Sequence, residues 1–405
     1  MKFTKNTILV ATGLLFVLTG CKKEGCTDPL ADNYSESAKK EDGSCEYSYS
    51  VPTTYEFTDA NGNNTVSYSG QTARMDMLSE MTSYLKTAND NGTALDAATL
   101  LAMYDNSYTG WSDQALVGND KQLKSKTARE DLTIIAEFEA WMNDAAAASP
   151  NVGGGYLQNA DGIEWTQLIE KGLMSACFIS QMTDNYLADI ASDDNSTASD
   201  PDNGKYYTTM EHHWDEAYGY FTDATNYGIE NPADPSTPFG AERFWGKYAQ
   251  KTLEPVIGSA TNISTAFRTG RAAIAADRIN PDQGFTADAI TQSEIITIEA
   301  QRMVAGMAIH YLNSTKQKVA DGESQNKVCH YLSEAWAFIY GIQFAHDPVM
   351  SRTQVMEILV DGMPGGSPAI NDDFYGFAQS TMSVNEVIDV IADAHGFTQT
   401  ERENL

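Results

Sequence analysis

The sequence is short of positive charge, of histidine, of cysteine and of long apolar runs. Its 405 residues carry 26 lysines and arginines against 56 aspartates and glutamates, a formal net charge of −30. A chain this acidic repels phosphate backbones and anionic lipid, which argues against nucleic acid as a partner. The charge keeps the protein soluble and also draws cations towards its surface. No Ser/His/Asp nucleophile pattern, glycine-rich phosphate loop or dinucleotide fingerprint is present. Beyond residue 20 no stretch is apolar enough to cross a bilayer.

The single marked apolar run is at the start. Lys2 and Lys5 precede Thr7 to Leu18, an apolar core short for a membrane span, and Leu18-Thr19-Gly20-Cys21 follows. Basic residues, apolar core, small residues and cysteine in that order read as a secretory signal (residues 1–20). The last four residues resemble a bacterial lipobox. That resemblance implies cleavage before Cys21 and its lipidation, hence an outer-membrane lipoprotein tethered by acyl chains and facing the periplasm or the cell surface.

Residues 21–70 are expected to hold the anchor, a small module and a linker. Gly25 to Tyr34 and Glu41 to Tyr47 resemble a short cysteine motif of secreted surface proteins in gliding-type bacteria, with Cys26, Cys45, Asp-Pro, Asn-Tyr and Asp-Gly-Ser-Cys in place. In an oxidising compartment a Cys26–Cys45 disulfide is expected, worth about 3 kcal/mol for a loop of this length. Asp28, Asn33 and Asp42 offer oxygen ligands for calcium, and a disulfide-stapled spacer without an ion is the competing reading. Residues 55–57 and 65–68 flank Asn61-Gly62 and predict a short hairpin ending the linker.

From Gln71 onward apolar residues recur every three to four positions, which predicts helices: 71–85, 96–104, 123–148, 163–190, 207–227, two within 244–276, 286–318, 328–344, 353–361 and 383–394. Three prolines between 232 and 238 predict a linker. The fold class is therefore all-α, with a first helical bundle over 71–230 and a second over 239–405.

The two bundles share a pattern. His212-x-x-x-Glu216-Ala-Tyr-Gly-Tyr220 returns 118 residues later as His330-x-x-x-Glu334-Ala-Trp-Ala-Phe338. Upstream, Glu170 to Met182 aligns with Glu299 to Tyr311. His and Glu four apart share one helix face. Facing each other across a pseudo-two-fold axis, His212, Glu216, His330 and Glu334, with Glu170 and Glu299 nearby, would form a transition-metal cluster of the kind helical bundles build. In the competing reading each His bonds its own Glu and locks a buried helix face. The aromatic residues around Tyr218, Tyr220, Phe221, Trp336, Phe338 and Tyr340 read as core. Arg268 and Arg271 pair acidic helices or take an anion. Cys177 and Cys329 are buried thiols or a pair.

Glu170 to Met174, Tyr207 to Phe221 and Phe267 to Ile274 resemble an uncharacterised lipoprotein family, a domain of unknown function, over roughly residues 50–400. That family is encoded beside imelysins, outer-membrane receptors and di-haem proteins. The resemblance implies an imelysin-like two-bundle fold, a place in iron or haem acquisition, and an outer-membrane receptor or imelysin-type protein as partner. Imelysins carry His-x-x-Glu, one residue shorter than the spacing here. Three functions follow as expectations: an envelope lipoprotein that binds metal or haem without catalysis, a metallohydrolase with Glu216 or Glu334 as base, and a glycan-binding lipoprotein with an exposed aromatic platform.

Overall fold

A computed structural model describes the chain except residues 1–22, 28–30, 46–48, 153–154, 234–235, 237, 241, 282–283 and 365. The expected signal peptide, Cys21 and Asp28 lie outside the described residues. The chain forms two compact units, Met1–Ser50 and Val51–Leu405.

In the first unit Cys26 and Cys45 are disulfide-bonded, with Cα atoms 4.6 Å apart. The Glu41 carboxylate organises the loop between them. One oxygen accepts the amide and hydroxyl of Thr27, and the other accepts the amides of Asp42 and Gly43. Asn33 donates to the Ser44 carbonyl and Asp42 accepts the Ser44 amide. Cys26, Glu41 and Cys45 lie close together, but both sulfurs are consumed by the disulfide.

The second unit is all-helical, with only isolated β-bridges among the described residues. Its helices are α1 Ser69–Asn91, α2 Ala97–Tyr104, α3 Leu132–Ala148, α4 Trp165–Leu173, α5 Thr209–Phe221, α6 Phe244–Tyr248, α7 Glu254–Ile257, α8 Ser259–Ile279, α9 Thr286–Ala320, α10 Gln325–Gly341, α11 Arg352–Met356, α12 Phe374–Gln379, α13 Thr381–Ala394 and α14 Gln399–Asn404. Wider π-helical turns carry α4 on through Met174–Ile179 and Gln181–Leu187.

Local chemistry sets these boundaries. Asp131 caps α3 by accepting the amides of Thr133 and Ile134. The preceding residues Ala128, Arg129 and Glu130 have positive φ, so the helix starts at Leu132 and not at residue 123 as the apolar period predicts. A capping box between Thr208 and Glu211 opens α5. Gly258, in the left-handed conformation, separates α7 from α8.

The centre is α9. Its 35 residues span about 52 Å at ~1.5 Å per residue. Met303 to Ile309 is buried on every face, the pattern of a helix surrounded by others; α8, α10 and α13 pack against it. The expected division at 231–238 is not a boundary between compact units. Residues before it pair with residues after it: α4 packs on α10, and α5 on α8. At the second crossing Gly270 is required, because a Cβ there would lie 2.1 Å from the Trp214 ring.

The stretch 51–68, expected as linker, belongs to this body. Tyr55, Phe57 and Thr65 are buried, and the Tyr55 ring stacks on Tyr218 at 3.6 Å. The expected hairpin is reduced to a single bridge between Thr58 and Asn64, because Asp59 gathers the amides of Asn61 and Asn63 into a tight turn. Cys177 and Cys329 are free and buried; burial pushes their thiols up, to about 12 and about 11.

Candidate functional site

The two motif helices place their histidines in different surroundings. On α5, His212 Nδ1–H donates to the Ser67 carbonyl at 3.0 Å. Its Nε2 lies 3.8 Å from Glu216, and its ring stacks on Tyr207. Burial pulls the imidazole below its ordinary range, against the partial pull of Glu216. Glu216 accepts from Gln71 at 2.9 Å and lies near the Tyr186 hydroxyl.

The other face of α5 holds a buried ion network. Arg271, from α8, is fully buried and donates to Asp215 at 2.9 Å and to Glu211 at 3.0 Å. Its remaining nitrogen reaches the Thr65 hydroxyl, and its guanidinium lies over the Phe57 ring. Asp215 also accepts the Tyr55 hydroxyl and the Ser67 amide, while Arg278 takes the second oxygen of Glu211. Burial pushes the Asp215 carboxyl up, to about 7, against the pull of Arg271 and Tyr55. The expected ion pairing of Arg271 is realised here.

On α10, His330 Nδ1–H donates to Glu164 at 2.6 Å. Glu164 is buried; its other oxygen accepts from Gln167 and Asn89. Burial would pull His330 down, but the hydrogen bond and charge of Glu164 outweigh it and hold the imidazole above its ordinary range. Burial pushes the Glu334 carboxyl up, against the pull of Lys171. Lys171 pairs with Glu170 at 2.7 Å and lies over the Tyr248 ring.

The six expected metal ligands therefore fall into separate settings. His330 and Glu334 share one with Glu170 through Lys171. His212 and Glu216 occupy a second. Glu299 stands in a third, near Asn262 and Arg302, where burial pushes its carboxyl up. Among the described residues, the one group of three or more His, Cys, Asp or Glu side chains with ligand atoms within 4.8 Å is Cys26, Glu41 and Cys45. The six do not converge. The physical reason is that the motif groups meet protein donors and acceptors first: Ser67, Gln71, Glu164 and Lys171. Nor does His330 bond its own Glu334; its partner comes from the start of α4. Periodicity gave no sign of Glu164, because the first residues of a helix show little of its pattern.

A groove runs along α9. A hollow of about 550 Å³ is walled by Leu187, Ile190, Ile290, Ile298 and Val349, with His346 at its side. A smaller hollow of about 200 Å³ shares Ile298, Gln301 and Val349 and adds Arg302. Ile298 and Val349 are 57% and 48% exposed. Gln301 accepts the Val349 amide and donates to the His346 carbonyl, pinning the loop after α10. Asp184 holds His346 Nδ1 at 2.9 Å and is itself paired with Arg129. A carboxylate can only accept, so Nδ1 carries a proton and Nε2 is the ring nitrogen not held by Asp184; Asp347 stands 3.6 Å from Nε2. His346 lies in a loop, where no sequence period marks it.

A family model described as a domain of unknown function, DUF4856, matches residues 52–398. No curated protein and no solved structure matches the chain.

Proposed function

The chain belongs to the DUF4856 family, and from that premise we propose that it is a ligand-binding lipoprotein of the cell envelope, anchored at Cys21 to the outer membrane, and that its ligand is haem or a similar apolar metal chelate held in the α9 groove. The observation that carries this reading is His346: a carboxylate-oriented imidazole beside an apolar hollow of about 550 Å³. That volume lies in the usual ligand-pocket range of roughly 300–1,000 Å³. Ile298 and Val349 would cover the apolar face of such a ligand, and Nε2 of His346 would supply the axial bond. The acidic rim of Glu294 and Asp347 suits the metal centre better than the ligand's own carboxylates; Arg302, at the groove's end, is bonded to the His395 carbonyl and paired with Glu401.

In this reading the protein serves iron or haem uptake, handing its ligand to or from an outer-membrane receptor or an imelysin-type partner, and the two motif helices descend from an internal duplication of imelysin-like type. The hydrolase alternative needs Glu216 or Glu334 free beside an ion, whereas Glu216 accepts from Gln71 and Glu334 is buried beside Lys171. The test is titration of the apo protein with haem. A shifted Soret band is expected, lost in His346→Ala and weakened in Ile298→Glu. An unchanged free-haem spectrum at all ratios, or a shifted band that survives His346→Ala, would overturn the proposal.

A further inference from the structure

One arginine of the Phe267-Arg-Thr-Gly-Arg271 segment is fully committed and the other is not. Among the described residues, Arg74 and Arg268 are the arginines without a carboxylate partner within 4.0 Å. Arg74 spends its nitrogens on the carbonyls of Gly70 and Gln122. Arg268 makes one weak contact, 3.5 Å to the Thr265 hydroxyl. It is half-buried, and burial pulls its guanidinium below its ordinary range. In a chain of net charge −30 carboxylates are plentiful, so an arginine kept from them on a packed helix is informative.

Arg268 lines a pocket of about 170 Å³ whose wall contains no Asp or Glu. The polar groups around it are Thr53, Gln250, Thr261, Ser264 and Thr265. Ser264 is 5% exposed, and neither its hydroxyl nor the side-chain amide of Gln250 has a hydrogen-bond partner among the described residues. Ser264 lines the pocket and its hydroxyl makes no bond there, so it is available to what the pocket receives. Glu254, the carboxylate beside the rim, is already occupied: its two oxygens accept the amide and hydroxyl of Thr261. The Tyr227 ring forms an apolar wall, its hydroxyl being spent on the Gly246 carbonyl.

We propose that this pocket binds the carboxylate of a small hydroxylated acid, with Arg268 clamping the carboxylate and Ser264, Thr265 and Gln250 taking the hydroxyls. A planar guanidinium matches a carboxylate with two parallel hydrogen bonds. One positive charge balances one negative charge, so a monocarboxylate is favoured over a phosphate dianion. The volume falls below the drug-sized range of roughly 300–1,000 Å³, which sets the ligand at about the size of a single sugar acid. The pocket shares no lining residue with the α9 groove, so the proposal does not depend on the haem reading.

The test is calorimetric titration of the full chain with glucuronate, glucose and inorganic phosphate as probes. Glucuronate is expected to bind, glucose not to, and phosphate to bind more weakly. Arg268→Gln should cut glucuronate affinity at least tenfold, and Arg268→Lys should recover part of it. Ser264→Ala, which removes one atom from a position already lacking a partner, should weaken binding severalfold without lowering the melting temperature. It serves as the reading variant if Arg268→Gln does not fold. No heat with glucuronate, equal binding of glucose, tighter binding of phosphate, or full affinity in Arg268→Gln, or in Ser264→Ala where that variant is the one read, would each overturn the proposal.

Discussion

Helices α5 and α10 carry the same His-x-x-x-Glu spacing and set their histidines in opposite electrostatic states. His212 faces a backbone carbonyl and is pulled below its ordinary range; His330 faces a buried carboxylate and is held above it. Spacing determines which side chains share a helix face. What they become is determined by the element packed across from that face: residue 67 for α5, and Glu164 at the head of α4 for α10. The two motif glutamates are more alike, each with a tyrosine hydroxyl near it from a helix that precedes the motif.

The comparison can be strained hardest at Arg271, which α10 has no counterpart for. Arg271→Met should leave Asp215 and Glu211 buried with fewer donors and cost about 3–5 kcal/mol, read as a lower denaturant midpoint. A loss under about 1 kcal/mol would mean that the network is not what fixes α5 on α8. The next test turns one helix into the other. Glu164→Gln keeps a hydrogen-bond acceptor for His330 but removes the charge. The His330 titration, followed by NMR, should then fall from above 6.5 to below it, like that of His212, with about 1–3 kcal/mol of stability lost. A titration that stays above 6.5 would show that Glu334, and not Glu164, sets the state of His330.

The smallest effect is the pH dependence itself. The folded pKa of His330 is raised, so its contribution is fully present below about 6.5 and is lost as pH rises through the folded value. The folded pKa of His212 is lowered, so its contribution is present above about 6.5 and is lost as pH falls towards the folded value. Both rings are partly exposed, so solvent screening keeps each slope to about 1 kcal/mol or less. Melting curves of His212→Gln and His330→Gln between pH 5 and 8 should therefore diverge from wild type with opposite slopes. Parallel slopes would break the contrast.

The all-helical character was legible because the apolar period acts locally. Helix starts were less so: the caps Asp131, Thr208 and Ser324 set beginnings that the period placed at 123, 207 and 328. The aromatic core was legible too, since Tyr218, Tyr220, Phe221, Trp336, Phe338 and Tyr340 are all buried. Partners were not legible. Thr65 reaches Arg271 across 206 positions and Glu164 reaches His330 across 166, and no periodic signal spans such distances. The groove residue His346 and the pocket residue Ser264 were missed for a related reason: each owes its meaning to a cavity, which exists only after assembly. The boundary at 231–238 shows the opposite error, since proline marks where a helix stops and says nothing of where a compact unit ends.

Those 206 positions also constrain the order of events at birth. Thr65 is among the first body residues to leave the ribosome, whereas the guanidinium that fastens it arrives midway along α8. Until then Tyr55 and Phe57 have no finished seat. Contacts of such long range are slow to close. Truncating the chain at residue 230 should therefore yield no folded fragment, because residues 51–230 lack the cation around which their own first segment is built.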